Sequence, residues 1–234
     1  MVKSTSENAL KNSQKKKYVR SKKRSRKPSI ETGVRVSPSR KKRASSAVNA
    51  VFLVGFMGAG KSSVGRALGQ RLNWVFEDLD DRIERRTGRR IADIFRDSGE
   101  DVFRQAEHEA LQEILLELRG GAARIVALGG GAFVQEKNAR LLASEGATTL
   151  FLDAPVEELW DRCCRQSNEL GTERPLLRSR DQFRELHQQR SNRYSAASIR
   201  LETGARTVEE ISEEIVKKLR LKKIRIREEE GEIE

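Results

Sequence analysis

Along the chain, the pattern of apolar and polar positions changes at Ala50. From there AVFLVGF forms a short unbroken apolar run, as expected of a strand buried on both faces. Shorter runs follow at Trp74–Phe76, Ile125–Leu128, Thr148–Leu152 and, more weakly, Ile199–Leu201. Between them the apolar spacing becomes helical: Lys61–Leu72, Asp101–Leu118, Glu136–Ser144, Val156–Arg165 and Val208–Leu219, with a further helix beginning near Asp181. In the second of these, Val102, Phe103, Ala106, Ala110, Leu111, Ile114 and Leu118 make a stripe expected to face the core. Strands alternating with helices predict an α/β fold, a mainly parallel sheet covered on both faces. No internal repeat is evident.

Charge divides the chain differently. Of the 234 residues, the first 49 carry 16 Lys/Arg against 2 Asp/Glu, and the remainder 31 against 33, so the net charge of +12 belongs to the N-terminal segment. That segment holds ten serines and almost no large apolar residue, a composition that cannot offset the entropy of ordering. Residues 1–48 are therefore expected to be a disordered basic extension. Four readings stand for it: a solvated extension, a transit peptide, a nucleic-acid-attracting tail, or translation upstream of a true start near Val48. Residues 49–220 are expected to form the globular domain, and 221–234 a charged, frayed tail. No run approaches the roughly 18 apolar residues of a membrane span, and no apolar signal segment opens the chain. The two cysteines, Cys163 and Cys164, are adjacent and offer no disulfide framework. A soluble, cytoplasmic protein is expected.

The strongest local signal is Gly55-Phe-Met-Gly-Ala-Gly-Lys61-Ser62, a full match to G-x-x-x-x-G-K-[ST] between a buried strand and an amphipathic helix. In such a loop the backbone N–H groups turn inward toward phosphate oxygens, and the helix N-terminus adds favourable partial charge. Lys61 is expected to reach the β/γ-phosphates and Ser62 to ligate Mg²⁺. A nucleotide-binding loop leaves the phosphate acceptor open, and the rest of the domain must supply it.

After the second strand comes Phe76-Glu-Asp78-Leu-Asp80-Asp81. Carboxylates 78 and 80 leave the strand's C-terminal end, where ligands bind in such sheets. One suits the Mg²⁺ shell and the other a hydroxyl to be deprotonated; a solvated acidic loop capping the next helix is the plainer alternative. Arg104 and Glu107 are i,i+3 neighbours, either an ordinary surface pair or a guanidinium fork steadied to grip a carboxylate. Gly129, Gly130 and Gly131 follow the strand ending at Leu128, where backbone approach to a ligand is expected. Residues 166–184 are polar and arginine-rich and suit a mobile lid, with Arg174 either able to meet a transferring phosphoryl group or one surface arginine among many. Arg190 and Tyr194 share a helical face, and Arg190 is a second candidate for an anionic group. Met57, Trp74 and Trp160 read as packing residues.

In order, GFMGAGKSSVGRAL, FEDLDDRIE, RTGRRIADIF, GEDVFRQAE, LGGG, RPLL and RSNRY resemble the shikimate kinase family over about Ala50–Leu219. The resemblance implies a P-loop NTPase fold of three α/β/α layers, nucleoside-monophosphate-kinase-like, with a five-stranded parallel sheet and a mobile lid. It implies ATP-dependent phosphorylation of the 3-hydroxyl of shikimate, on the route to chorismate and the aromatic amino acids. Carried over by position, Gly58, Ala59, Gly60, Lys61, Ser62 and Ser63 resemble the ATP loop, with Lys61 also catalytic. The resemblance implies that Ser62 and Asp78 hold one Mg²⁺ per subunit and that Asp80 contacts the shikimate hydroxyls as the candidate base. It likewise implies that Arg104 and Arg190 take the carboxylate, that Gly129, Gly130 and Gly131 line the substrate pocket, and that Arg174 is the catalytic lid arginine that meets ATP. Thr207 falls on the adenine side. The expected partners are shikimate and ATP, without a membrane, and with nucleic acid only through the basic extension; a monomer is expected. That extension and a long stretch from Arg162 to Arg174 depart from the family pattern. The rivals are a gluconate or nucleotide kinase, and a regulatory or nucleic-acid-associated protein that keeps the kinase fold.

Overall fold

The computed structural model describes residues 48–170 and 179–224, with the backbone alone for 168–170. The basic extension up to residue 47, Arg174 with the middle of the expected lid, and residues 225–234 lie outside the described residues.

The elements run β1 (Ala50–Val54), α1 (Lys61–Leu72), β2 (Val75–Asp78), α2 (Leu79–Thr87), α3 (Ile91–Leu118), β3 (Arg124–Ala127), α4 (Glu136–Ser144), β4 (Thr148–Asp153), α5 (Val156–Leu170), α6 (Arg180–Tyr194), β5 (Ile199–Glu202) and α7 (Val208–Leu219). The five strands form one sheet in the order β2-β3-β1-β4-β5, every pairing parallel. In the central strand Val51, Phe52, Leu53 and Val54 are all buried, as their unbroken apolar run requires when helices cover both faces. Because the strands are parallel, β1, β2 and β3 all deliver their following loops to one edge. That edge carries the phosphate loop, the Asp78–Asp80 segment and the glycine triplet.

Two helical stretches were not evident from apolar spacing. α2 buries only Leu79 and Ile83, one turn apart, in an otherwise charged sequence. Its start is set instead by Asp78, whose Oδ1 accepts the Asp80 N–H at 3.1 Å as an N-cap. α3 begins ten residues ahead of the expected Asp101 and is broken at Gly99 (φ 82°, ψ 175°), so a fresh helical start falls at Glu100. Within its second half, Val102 is exposed and Glu107 and His108 are buried. His108 Nδ1 lies 2.7 Å from Asn138 Oδ1, while Asn138 Nδ2 donates to the Ala132 carbonyl at 3.0 Å. Since the amide nitrogen is spent on Ala132, Nδ1 carries the proton. This clip pins the turn after β3 to α3 and α4.

The domain also continues past Leu219. Residues 221–224, expected as the start of a tail, lie against α1: Ile224 N–H donates to Leu72 O (2.9 Å) and Trp74 Nε1 donates to Lys222 O (3.1 Å).

Candidate active site

The loop after β1 turns through Gly58 (φ 80°) and Gly60 (φ 86°), left-handed conformations that glycine adopts without a Cβ penalty. Gly60 caps α1 with no side-chain acceptor, and no acidic residue stands in the first turn, so the helix presents its N–H groups to an anion. Lys61 Nζ donates to the carbonyls of Gly55 and Phe56, both at 3.0 Å. Ser62 Oγ donates to Asp78 Oδ2 at 2.7 Å, tying the start of α1 to the end of β2. A cavity of about 240 Å³ opens here, lined by Gly58, Gly60, Lys61, Ser62, Ser63 and Asp78 among others.

A second cavity, of about 380 Å³, opens beside it. Its polar wall is Asp80, Arg104, Glu107 and Arg190, its apolar wall Ile91, Phe95 and Phe103, and its floor the glycine triplet. Met57, Asp80, Gly129 and Gly130 line both cavities. Asp80 thus stands where the phosphate side meets the arginine side. Burial, together with the neighbouring charge of Asp78, pushes its carboxyl up to about 6, against the pull of Lys61.

Arg104 is held as a fork. Its Nη1 donates to both oxygens of Glu107 at 3.2 Å, and its Nε and Nη2 to Glu100 Oε1 at 3.1 and 2.9 Å. Glu107 is only 1 % exposed, and burial pushes its carboxyl up to about 7 despite Arg104. Arg190 reaches the Gly130 carbonyl at 3.5 Å, and the buried Tyr194 hydroxyl donates to the same oxygen. The glycines line the cavities as expected, but two of them owe their identity to protein side chains. A Cβ on Gly129 would lie 2.6 Å from Asp80 Oδ1, and one on Gly131 2.7 Å from Arg104 Nη1. At Gly130 it would meet nothing nearer than 3.8 Å.

A family model, "Shikimate kinase", matches residues 57–220. The chain belongs to the shikimate kinase family. It is 37% identical over 171 residues to the shikimate kinase of Persephonella marina, covering 73% of this chain and 98% of the relative. It is 41% identical over 172 residues to that of Thermus thermophilus, covering 72% and 89%. Among solved structures, shikimate kinase from Acinetobacter baumannii in complex with shikimate matches with a TM-score of 0.65 at 34% identity, over 74% of this chain and 93% of that one.

In this shikimate kinase family member, most of the expected site residues that the structure describes converge, while Thr207 stands apart from the group. The Thr207 hydroxyl is engaged in a capping box at the start of α7, accepting from Glu210 N (3.2 Å) while Glu210 Oε2 accepts from Thr207 N (2.8 Å). Arg174 lies outside the described residues. Several participants gave no sequence signal. A third cavity, of about 290 Å³, flanks Gly58 and Gly60 and is lined by Arg162, Arg165, Arg206, Val208 and Ile211. Arg162 bonds Glu158 (2.6 Å) and the Thr203 carbonyl (3.1 Å), and Glu158 accepts the Ala205 N–H, so α5 holds the loop after β5. In a chain with 47 Lys/Arg, no single one of these arginines stands out by sequence. Met57 forms part of the wall between cavities rather than packing alone. Among the described residues no helix is long and apolar enough to cross a membrane, and no group of three or more His, Cys, Asp or Glu could hold a metal ion.

Proposed function

We propose that the protein transfers the γ-phosphoryl group of ATP to the 3-hydroxyl of shikimate, with the domain expected at 49–220, extended to Ile224, as the kinase. The observation that carries this reading is the shared wall: Asp80 lines both the phosphate-loop cavity and the cavity with two arginines. An acid bearing hydroxyl groups fits the second cavity, because Arg104 and Arg190 offer charge-assisted donors to a carboxylate and Asp80 offers an acceptor to a hydroxyl. Ile91, Phe95 and Phe103 suit the carbon face of a ring. A nucleotide acceptor would leave these arginines without a carboxylate to meet.

The triphosphate lies on the N–H groups of the loop from Gly58 to Ser63, with Lys61 at the β/γ-phosphates. The third cavity, beside Arg162 and Arg206, takes the base and sugar. Asp80 holds the acceptor hydroxyl and takes its proton as the new O–P bond forms and the bond to the bridging β/γ oxygen breaks, releasing ADP. Arg174 is assigned to the charge on the transferring group. Ser62 and Asp78 present adjacent hard oxygen atoms at the phosphate loop, a donor pair that would hold Mg²⁺. When bound, the ion neutralises phosphate charge. A coupled ADP-release assay offering shikimate, quinate and gluconate in parallel tests the reading. Release with shikimate above all is expected, and equal or greater release with gluconate would overturn it.

A further inference from the structure

The two arginines of the acceptor cavity are seated differently. Arg104 is bound to two carboxylates, Glu100 and Glu107. No carboxylate among the described residues pairs with Arg190, Glu107 being bound to Arg104. The groups that hold Arg190 are neutral: the Gly130 carbonyl 3.5 Å from Nη1, the Phe56 ring with its centroid 6.0 Å from Cζ, and the Tyr194 oxygen beside the guanidinium. Tyr194 is the most firmly placed of the three. It is 1 % exposed, its ring stacks on Phe151 of β4 with centroids 5.3 Å apart, and its hydroxyl donates to that same Gly130 carbonyl. Burial pushes the phenol up to about 12 against the pull of Arg190, so its proton stays on the oxygen and points at Gly130. Arg190 and Tyr194 lie one turn apart on α6 and share a face. Gly130 lines both cavities, and Arg190 lines the acceptor cavity.

We infer that Tyr194 is a positioning residue for acceptor binding: fixed on the Gly130 carbonyl, it seats the Arg190 guanidinium on the cavity wall among neutral groups, leaving the charge of Arg190 to the acceptor's carboxylate. This deepens the proposed function and rests on it. A carboxylate in place of the phenol would also seat the arginine, but would pair with it before the ligand arrived. A side chain without the hydroxyl would leave the Gly130 carbonyl short of its buried donor. Arg190 Nη1, already 3.5 Å from that oxygen, is the donor at hand to replace it. The guanidinium would then be drawn onto the glycine turn and away from the ligand. Tyr194 thus acts through Arg190, without touching the reacting atoms.

The experiment is a double-mutant cycle in steady-state ADP release with shikimate as the varied acceptor, comparing wild type, Tyr194→Phe, Arg190→Met and the double variant. Tyr194→Phe removes one neutral hydrogen bond, so the KM for shikimate is expected to rise about three- to tenfold with kcat within about twofold of wild type. Because the effect runs through Arg190, the same substitution made in Arg190→Met changes kcat/KM by less than about twofold. That ratio is read from the initial slope of rate against shikimate, which needs no saturation. With an active wild type, an unchanged KM in Tyr194→Phe, a loss carried by kcat, or an equal loss in both backgrounds overturns the inference alone; the last would mark a purely structural hydroxyl. Absence of both shikimate binding by calorimetry and ADP release in the wild type overturns the kinase reading and this inference with it.

Discussion

Gly129→Ala isolates the role of one atom position. Gly129 has no left-handed backbone, so alanine is conformationally acceptable there and the only new element is the methyl group. That methyl would lie 2.6 Å from Asp80 Oδ1, where ordinary contact begins near 3.4 Å. The carboxylate must therefore retreat by about 0.8 Å, the difference of those two distances. It has little room to do so. The Asp80 backbone N–H is tied to Asp78 Oδ1 at 3.1 Å, and Glu107 Oε1 is already 3.4 Å from the same methyl position. A misplacement of about 1 Å in a group that holds the nucleophile costs about 100-fold, or about 2.7 kcal/mol of barrier. The assay is kcat by ADP release at saturating ATP and shikimate, alongside the Tm of the same preparation. A kcat within about threefold of wild type in a normally folded Gly129→Ala would refute the argument that this glycine exists to seat Asp80. Gly131→Ala provides the counterpart, since its methyl meets Arg104 instead, and the effect moves to the KM for shikimate.

Asp80→Asn keeps the shape and removes the base, so turnover is expected to be lost while calorimetric ATP binding persists; near-normal turnover would strip Asp80 of its role. Glu107 lies among Arg104, Asp80 and Arg190, and its carboxyl stands near 7 in the folded protein against 4.5 ordinarily. Between those values the folded state keeps a proton that the unfolded state has released, so stability falls as pH rises through the window, by on the order of 3 kcal/mol. Glu107→Gln should flatten the Tm profile from pH 5 to pH 8, and parallel profiles for the two proteins would contradict the burial argument. Thr207→Ala removes a capping box and is expected to cost about 1 kcal/mol, read as a Tm drop of about 2–4 °C; an unchanged Tm would show that the cap contributes nothing.

Much of this architecture was legible in the sequence because burial on two faces writes itself as uninterrupted apolar runs. β1 and β4 are of this kind, and the phosphate loop follows β1 with its motif intact. α2 escaped notice for the opposite reason: two buried residues in nine give no period, and its start depends on a cap, Asp78, that also belongs to the site. The triplet at 129–131 was legible as a cavity-lining turn, but the room two of its glycines leave for Asp80 and Arg104 was not. Chain order gives no hint that Asp80, 49 positions earlier, needs the space a Gly129 side chain would fill.

The strand order has one more consequence. The phosphate loop follows β1 and the acceptor acid follows β2, with β3 alone between them. The roots of the two loops are therefore two hydrogen-bonded strand spacings apart, about 9.6 Å, a ruler set by peptide geometry and indifferent to side chains. The cavity residues Phe95, Phe103 and Arg190 can change while that spacing stays as it is. A scaffold of this kind holds its stroke constant and leaves the cargo adjustable.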